Sequence, residues 1–223
     1  MINYIPIDYN EWILGDDARE GANLKRLGLL NDKELEIWNE AIPYQDRRED
    51  PGQAELVTYF ALELLKHLPG ERKIIVPSAI LHDIGWYYGD AREWIRTVKS
   101  GTNVETEELR RPHQNRGIML AGRILERVRY DGKYNMEIAD IIGDHDTRKL
   151  LANGNGKIVR DADLMWRVTY PCMQIYFSDA DSAIAVKKMN KSCLGLTGNL
   201  GLGEIGREIA KIESENTLRF KFG

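Results

Sequence analysis

Apolar residues along this chain recur at helical spacing, and no stretch alternates between apolar and polar residues as a half-buried strand does. The clearest stripe consists of Val57, Phe60, Ala61, Leu64 and Leu65. Because positions three or four apart share one face of a helix, such stripes bury against one another. The sequence therefore predicts an all-α protein with one core and no clean domain boundary over residues 1–223. Residues 1–48 are expected to form helices packed on that core.

Local signals mark the ends of two helices. Asn31 and Glu34 have the spacing of a capping box before an apolar stripe. Asp50 and Pro51 predict the start of the next helix, with Asp50 as the N-cap and proline in the first helical position. The same helix is predicted to stop before the Pro-Gly pair at 69–70, since proline cannot continue it.

Glycine-rich segments interrupt the C-terminal half of the chain. The Gly-Asn-Gly segment at 154–156 would allow a small hairpin, but an interhelical loop is predicted there, and the Gly-rich segment 192–203 predicts a longer loop. Short helices are predicted over 180–189 and 203–215. The letters GLGEIG at 201–206 match a dinucleotide-binding pattern, but no strand precedes them, so a loop followed by a helix start is predicted instead.

Charge and cysteine content exclude several classes of protein. The chain of 223 residues has 31 basic and 35 acidic residues, a net charge of −4, so no attraction to nucleic acid or anionic membrane is predicted. Two cysteines, Cys172 and Cys193, do not make a disulfide framework, and a cytoplasmic location is expected. The longest apolar stretch, 74–81, is far shorter than the roughly 20 residues of a membrane span.

Five predicted helices each carry one polar side chain on the face that should be buried. These side chains are Gln53, His82, His113, His145 and Asp163. Buried polar groups cost free energy unless they are hydrogen-bonded or ligated. Three of the four histidines lie on such faces, and Asp83 directly follows His82. Imidazoles and carboxylates from several helices are ligands that divalent transition metals prefer, and one carboxylate can bridge two ions.

Each of these residues also has an ordinary structural interpretation. A lone histidine on an apolar face is commonly a hydrogen-bonded core residue. Gln53, as the third residue of a helix that starts after Asp50, could close a capping box. Asp163 could pair with an arginine. His67 lies just before the Pro-Gly stop, where a cation meets a helix C-terminus, and we leave it out of the site.

Four motifs resemble those of the HD superfamily of metal-dependent phosphohydrolases. The segment ILHDIGW at 80–86 resembles its defining His-Asp motif, and RDADLMW at 160–166 resembles its final aspartate motif. The segments RPHQNRG at 111–117 and GDHDTR at 143–148 resemble the additional histidine motifs of its binuclear members. Their order and spacing agree over about residues 47–170. The resemblance implies an HD-like helical bundle with a metal site at its centre.

The resemblance also implies ligands for one or two divalent ions, with Fe, Mn, Co, Ni or Zn as the expected metals. The implied ligands are His82, Asp83 and Asp163 for the first ion, and Asp83, His113 and His145 for the second. Gln53 stands where the superfamily normally has its first histidine. Its neutral amide oxygen is a weaker ligand for a transition metal than imidazole.

The implied activity is hydrolysis of a small phosphorylated metabolite or nucleotide by a metal-activated water. Asp83 and Arg148 are predicted to be catalytic residues. Three arginines near the implied ligands are predicted to neutralise the substrate phosphate: Arg111, Arg148 and Arg167.

Two other classes of function stay open. Diiron oxygenases of the same superfamily have a similar order of ligands, although they also need the first histidine that Gln53 replaces. A degraded HD fold that serves as a binding module would fit the loss of that histidine, whereas the retention of the other ligands argues against it. Oxygen dependence separates the first two classes, and metal content separates both from the third.

Overall fold

A computed structural model describes residues 2–88, 103–147, 154–177 and 202–222 of the chain. Within these ranges the chain is helical and has no strand, which confirms the all-α prediction. The α-helices of this part of the chain are α1 (Asp16–Arg19), α2 (Ala22–Arg26), α3 (Asp32–Ala41), α4 (Gln53–Leu65), α5 (Arg72–Leu81), α6 (Asn103–Arg127), α7 (Asn135–Asp144), α8 (Gly154–Trp166), α9 (Tyr170–Phe177) and α10 (Glu204–Phe222). Short 3-10 helices cover Ile42–Tyr44, Ile84–Tyr88 and Gly132–Tyr134. None of the described helices is both long and apolar enough to cross a membrane.

The N-terminus of α3 has the predicted capping box. The Asn31 side chain accepts a hydrogen bond from the backbone N–H of Glu34, and the Glu34 carboxylate accepts one from the backbone N–H of Asn31. Each side chain satisfies a backbone donor that the first turn of a helix leaves without a partner.

The N-terminus of α4 differs from the prediction. Gly52 is the N-cap, at a φ of 88° that favours glycine, and Gln53 is the first helical residue rather than the third. Asp46 takes the capping role, because its carboxylate accepts hydrogen bonds from the backbone N–H groups of Gly52 and Ala54. The prediction that Asp50 caps this helix was therefore wrong, and Asp50 instead faces Arg48.

Other helix boundaries also differ from the prediction. The Gly-Asn-Gly segment 154–156 was predicted to be a loop but opens α8, where the Asn155 side chain bonds to the Glu71 backbone and the Glu137 carboxylate. Helix α10 confirms the helix predicted over 203–215 and continues to Phe222. The predicted helix at 180–189 and most of the predicted loop at 192–203 lie outside the described residues.

The described helices enclose a common core. Helix α5 packs against α4, α7 and α8, and α4 also packs against α8, while α6 packs against α7. Residues 2–15 precede the first helix and are not helical, and the helices predicted for residues 1–48 begin only at Asp16 and end at Tyr44. Residues 2–15 still contribute buried side chains to the core: Tyr4, Ile7, Tyr9 and Trp12. The hydroxyls of Tyr4 and Tyr9 donate to the buried Glu213 carboxylate of α10, which joins the two terminal segments.

Gly85 allows the 3-10 helix Ile84–Tyr88 to lie directly against α6. A Cβ atom at this position would stand 1.8 Å from the backbone oxygen of His113 and 2.6 Å from the backbone nitrogen of Gly117. Backbone atoms inside a helix cannot move aside as a flexible side chain can, so only glycine fits. This contact brings the His-Asp motif and His113 together.

Candidate metal centre

The predicted metal ligands meet in one buried place, although up to 110 positions separate them in sequence. Their ligand atoms form two overlapping clusters, within each of which all atoms lie within 4.8 Å of one another. We call Asp83, His113, His145 and Asp146 the His113 group, and His82, Asp83 and Asp163 the His82 group. The two groups correspond to the second and first ion sites that the HD resemblance implies.

Asp83 belongs to both groups because its two carboxylate oxygens face opposite ways. Oδ1 lies 3.3 Å from Nε2 of His113 and 3.3 Å from Nε2 of His145. Oδ2 lies 3.3 Å from Nε2 of His82. Trp86 donates its indole N–H to Oδ1 at 3.1 Å, which helps to fix the carboxylate. This is the geometry of a carboxylate that can serve two sites.

The rings of His82 and His145 are oriented by the same kind of hydrogen bond. Each follows the last residue of a helix, α5 or α7, and is its C-cap. Nδ1 of His82 lies 2.7 Å from the carbonyl of Ala79, and Nδ1 of His145 lies 2.8 Å from that of Ile142. A carbonyl oxygen only accepts, so Nδ1 carries a proton and Nε2 points into the cluster. Metal-binding histidines are typically oriented in this way. Burial by itself would lower the pKa of both rings, but the neighbouring carboxylates raise it.

His113 is fully buried on α6 and has an unsatisfied ring. Neither ring nitrogen has a hydrogen-bond partner within the described part of the chain, although Nε2 lies close to Asp83. The ring stacks on Trp86, with centroids 4.2 Å apart and an angle of 18° between the planes. Burial lowers the pKa of His113, which favours the neutral form that binds metals.

Four ligand atoms of the His113 group have the spacing that a metal ion requires. Asp83 Oδ1 lies 3.3 Å from both histidine Nε2 atoms, and Asp146 Oδ2 lies 3.5 Å from His113 Nε2 and 3.7 Å from His145 Nε2. Metal–ligand bonds of about 2.0–2.2 Å place neighbouring ligands roughly 2.8–3.6 Å apart at right or tetrahedral angles. Two imidazoles and two carboxylates are suitable ligands for a divalent transition metal, so these residues fit one.

Asp146 was missed as a candidate ligand by sequence reasoning. It directly follows His145 in the GDHDTR segment, and this adjacency was the one signal that pointed to it. A turn after α7 places its carboxylate beside both His113 and His145. The ligand set of the His113 group is thus larger by one carboxylate than the resemblance implied.

Gln53 faces the His82 group rather than its own backbone. Its Nε2 lies 3.1 Å from His82 Nε2, 3.1 Å from Asp83 Oδ2 and 3.3 Å from Asp163 Oδ1. The interpretation of Gln53 as a residue of a capping box was therefore wrong. The two carboxylate oxygens can only accept, and for this reason the amide presents its nitrogen to them.

Arg48 is a second residue that sequence reasoning missed. It lies in the irregular segment before α4, where no periodicity points to it. Its Nη2 donates to Asp83 Oδ2 at 2.6 Å and its Nε donates to Asp50 Oδ2 at 2.9 Å, and all three side chains are buried. The guanidinium also lies over the Trp86 ring, 5.4 Å from its centroid. A buried arginine is thus part of the centre.

These contacts control the charges of the centre. Burial by itself would raise the pKa of Asp83, but Arg48 and His82 hold it well below its usual value. Burial would likewise raise the pKa of Asp163, which its hydrogen bond with His82 lowers to about 2. Both carboxylates therefore stay ionised, as metal ligands must be.

The arginines predicted to bind phosphate lie in different surroundings. Arg111 is exposed on α6, and Arg148 lies outside the described residues. Arg167 is half-buried after α8, and its charge contributes to the low pKa of Asp163. Arg160, one turn before Asp163, was not predicted to act, yet it is half-buried and interacts electrostatically with both Asp163 and Asp146.

Comparisons of the chain with family models, with curated proteins and with solved structures returned no match. The resemblance to the HD superfamily therefore rests on the four sequence motifs alone. What the structure adds is independent of any family: the motif residues converge on one buried cluster whose donor set fits a divalent metal.

Proposed function

We propose that this protein is a metal-dependent phosphohydrolase that acts on a small phosphorylated metabolite or nucleotide. The observation that carries the proposal is the His113 group, a buried set of two imidazoles and two carboxylates at metal-binding distances. A divalent ion held by such residues lowers the pKa of a bound water and polarises a phosphoryl oxygen.

The residues of the chain hold and orient this centre. His113, His145 and Asp146 would hold the ion together with Oδ1 of Asp83. The Trp86 indole N–H and the Ile142 carbonyl keep the Asp83 and His145 side chains in place before any substrate arrives. Preorganised ligands lose little conformational freedom when the ion binds.

Arg160 and Arg167 are the residues that we assign to the substrate phosphate. Both are half-buried, and both act electrostatically on the carboxylates of the centre. A guanidinium forms charge-assisted, often bidentate hydrogen bonds with phosphate oxygens. Two positive charges beside the metal ligands favour an anionic substrate over a neutral one.

The test is a substrate screen under controlled metal and oxygen. Metal-depleted protein is loaded with Mn²⁺, Fe²⁺, Co²⁺, Ni²⁺ or Zn²⁺ and incubated with phosphorylated metabolites and nucleotides, in air and under strict anaerobiosis. Phosphate release that requires added metal and persists without oxygen is the expected result. Product formation that depends on oxygen would favour a diiron oxygenase, and metal binding without any turnover would favour a binding module.

A further inference from the structure

The three ligand atoms of the His82 group already surround the amide nitrogen of Gln53. Gln53 Nε2 lies at nearly equal distances from His82 Nε2, Asp83 Oδ2 and Asp163 Oδ1, between 3.1 and 3.3 Å. Its two hydrogens serve atoms that an ion at the first site would need as ligands. To admit an ion, the amide would have to leave this position or turn its oxygen inward.

Arg48 occupies the same carboxylate oxygen. Its Nη2 lies 2.6 Å from Asp83 Oδ2, the oxygen that faces the His82 group. Its Nε is held by Asp50, and its guanidinium lies over Trp86, so three contacts keep it there. Arginine stays protonated in proteins, and its positive charge would repel a divalent ion on the same oxygen.

The His113 group differs from the His82 group in its hydrogen bonds. Asp83 faces it with Oδ1, whereas Arg48 donates to Oδ2. The His113 ring has no hydrogen-bond partner among the described residues, and its Nε2 lies within 3.3 Å of one acceptor and 3.5 Å of another. Acceptors that face one another in a buried space need a proton or a cation between them.

From these contrasts we infer that the centre takes a single metal ion, in the His113 group, and that Arg48 and Gln53 replace the other ion. The Arg48 guanidinium supplies the positive charge on Asp83 Oδ2, and the Gln53 amide donates to the carboxylates of Asp83 and Asp163. Both are positioning residues that hold Asp83 for its role as a ligand. The inference rests on the proposed metal-dependent function and narrows it from two ions to one.

The first experiment counts and locates the ion. Wild-type protein is dialysed with Mn²⁺ and then against buffer, its metal content is measured, and its electron paramagnetic resonance spectrum is recorded. One ion per chain with the spectrum of an isolated Mn²⁺ is expected, whereas two spin-coupled ions per chain would overturn the inference and leave the proposed function standing. No bound metal of any kind would overturn both.

Two variants of similar side-chain size locate the ion. We expect His113→Gln to weaken Mn²⁺ affinity at least about tenfold, because loss even of a group that supports a ligand costs 10- to 100-fold. His82→Gln should weaken the affinity much less, since His82 acts on the ion only through Asp83. Equal losses in the two variants, measured by calorimetric titration, would overturn the inference.

The last experiment restores the ion site of the His82 group. Gln53→His combined with Arg48→Met removes the donor and the charge and adds an imidazole, and we expect this variant to retain a second, spin-coupled ion. The matched control is Gln174→His with Arg47→Met, because Gln174 and Arg47 are exposed and lie outside the centre. If the double variant does not fold by circular dichroism, Gln53→His alone is used, with tighter binding of a second ion expected. A folded variant that still binds one ion with unchanged affinity would overturn the roles of Arg48 and Gln53.

Discussion

At the scale of single residues, the centre depends on Asp83, whose two carboxylate oxygens contact different partners. Oδ1 faces two imidazoles, whereas Oδ2 accepts from Arg48 and Gln53. A buried carboxylate with that many partners is held in one rotamer and stays ionised. Its charge and its position are therefore both needed for metal binding.

Asp83→Asn should abolish metal-dependent phosphate release. The amide keeps the shape of the carboxylate but loses the negative charge that the ion and Arg48 both require. Activity and bound metal are measured together, and Asp140→Asn, at an exposed position on α7, is the control. Undiminished turnover in Asp83→Asn would exclude the proposed mechanism.

Arg160→Ala tests the assignment of the substrate phosphate. A charged hydrogen bond contributes about 1.5–3 kcal/mol, so kcat/KM should fall by about 10- to 150-fold. The loss should appear mainly in KM, and metal content should not change, because Arg160 is not a ligand. Arg207→Ala, at an exposed position on α10, is expected to behave as the wild type. A normal KM in Arg160→Ala would contradict the assignment.

At the scale of helices, the ends of the elements place the functional side chains. His82 and His145 are C-caps of α5 and α7, and Gln53 opens α4. Helix ends leave backbone groups without intrahelical partners, and these groups hold neighbouring side chains in defined orientations. The carboxylate of Asp46 provides the corresponding support for the start of α4.

Asp46 should make the stability of the fold depend on pH. Burial, followed by repulsion from Asp50, raises the pKa of Asp46 from 3.8 to about 7. Between these two values the folded chain binds more protons than the unfolded chain, so the free energy of unfolding falls as the pH rises. Urea unfolding of the wild type from pH 4 to pH 7 should show this fall relative to Asp46→Asn. Parallel pH profiles for the two proteins would refute it, and Asp140→Asn should follow the wild type.

Gly85→Ala should separate the His-Asp motif from α6. The new methyl group would meet the backbone of His113 at 1.8 Å, so the helix or the 3-10 segment must shift. Overpacking of this kind costs about 1–3 kcal/mol of unfolding free energy, and metal affinity should fall with it. Gly122→Ala, also on α6, meets no atom within 4 Å and should be neutral or slightly stabilising. Equal stability of the two variants would contradict the role of Gly85.

At the scale of the whole molecule, the centre joins parts of the chain that are distant in sequence. Its residues come from α4, the end of α5, α6, the end of α7 and α8. An ion bound by several of these elements stabilises the folded state, which alone brings the ligands together.

Removal of the metal should therefore lower the melting temperature. An ion at about 100 times its Kd stabilises the fold by about 2.7 kcal/mol, and a chelator should reverse this gain. Thermal unfolding followed by circular dichroism, with and without Mn²⁺, provides the measurement. The melting temperature of His113→Gln should change much less with Mn²⁺, because this variant lacks one ligand. A wild-type melting temperature that changes with neither metal nor chelator would contradict a metal centre in this fold.

The sequence by itself determined the helical class of the described chain, the capping box of α3 and the inward position of the motif residues. These features are readable because helical periodicity and capping depend on residues within a few positions of one another. Only the tertiary structure decided that Asp46 caps α4, that Asp146 joins the ligands, and that Arg48 and Gln53 hold one oxygen of Asp83. Arg48 and Asp83 are 35 positions apart, and a contact of that range exists only after packing has brought the two segments together.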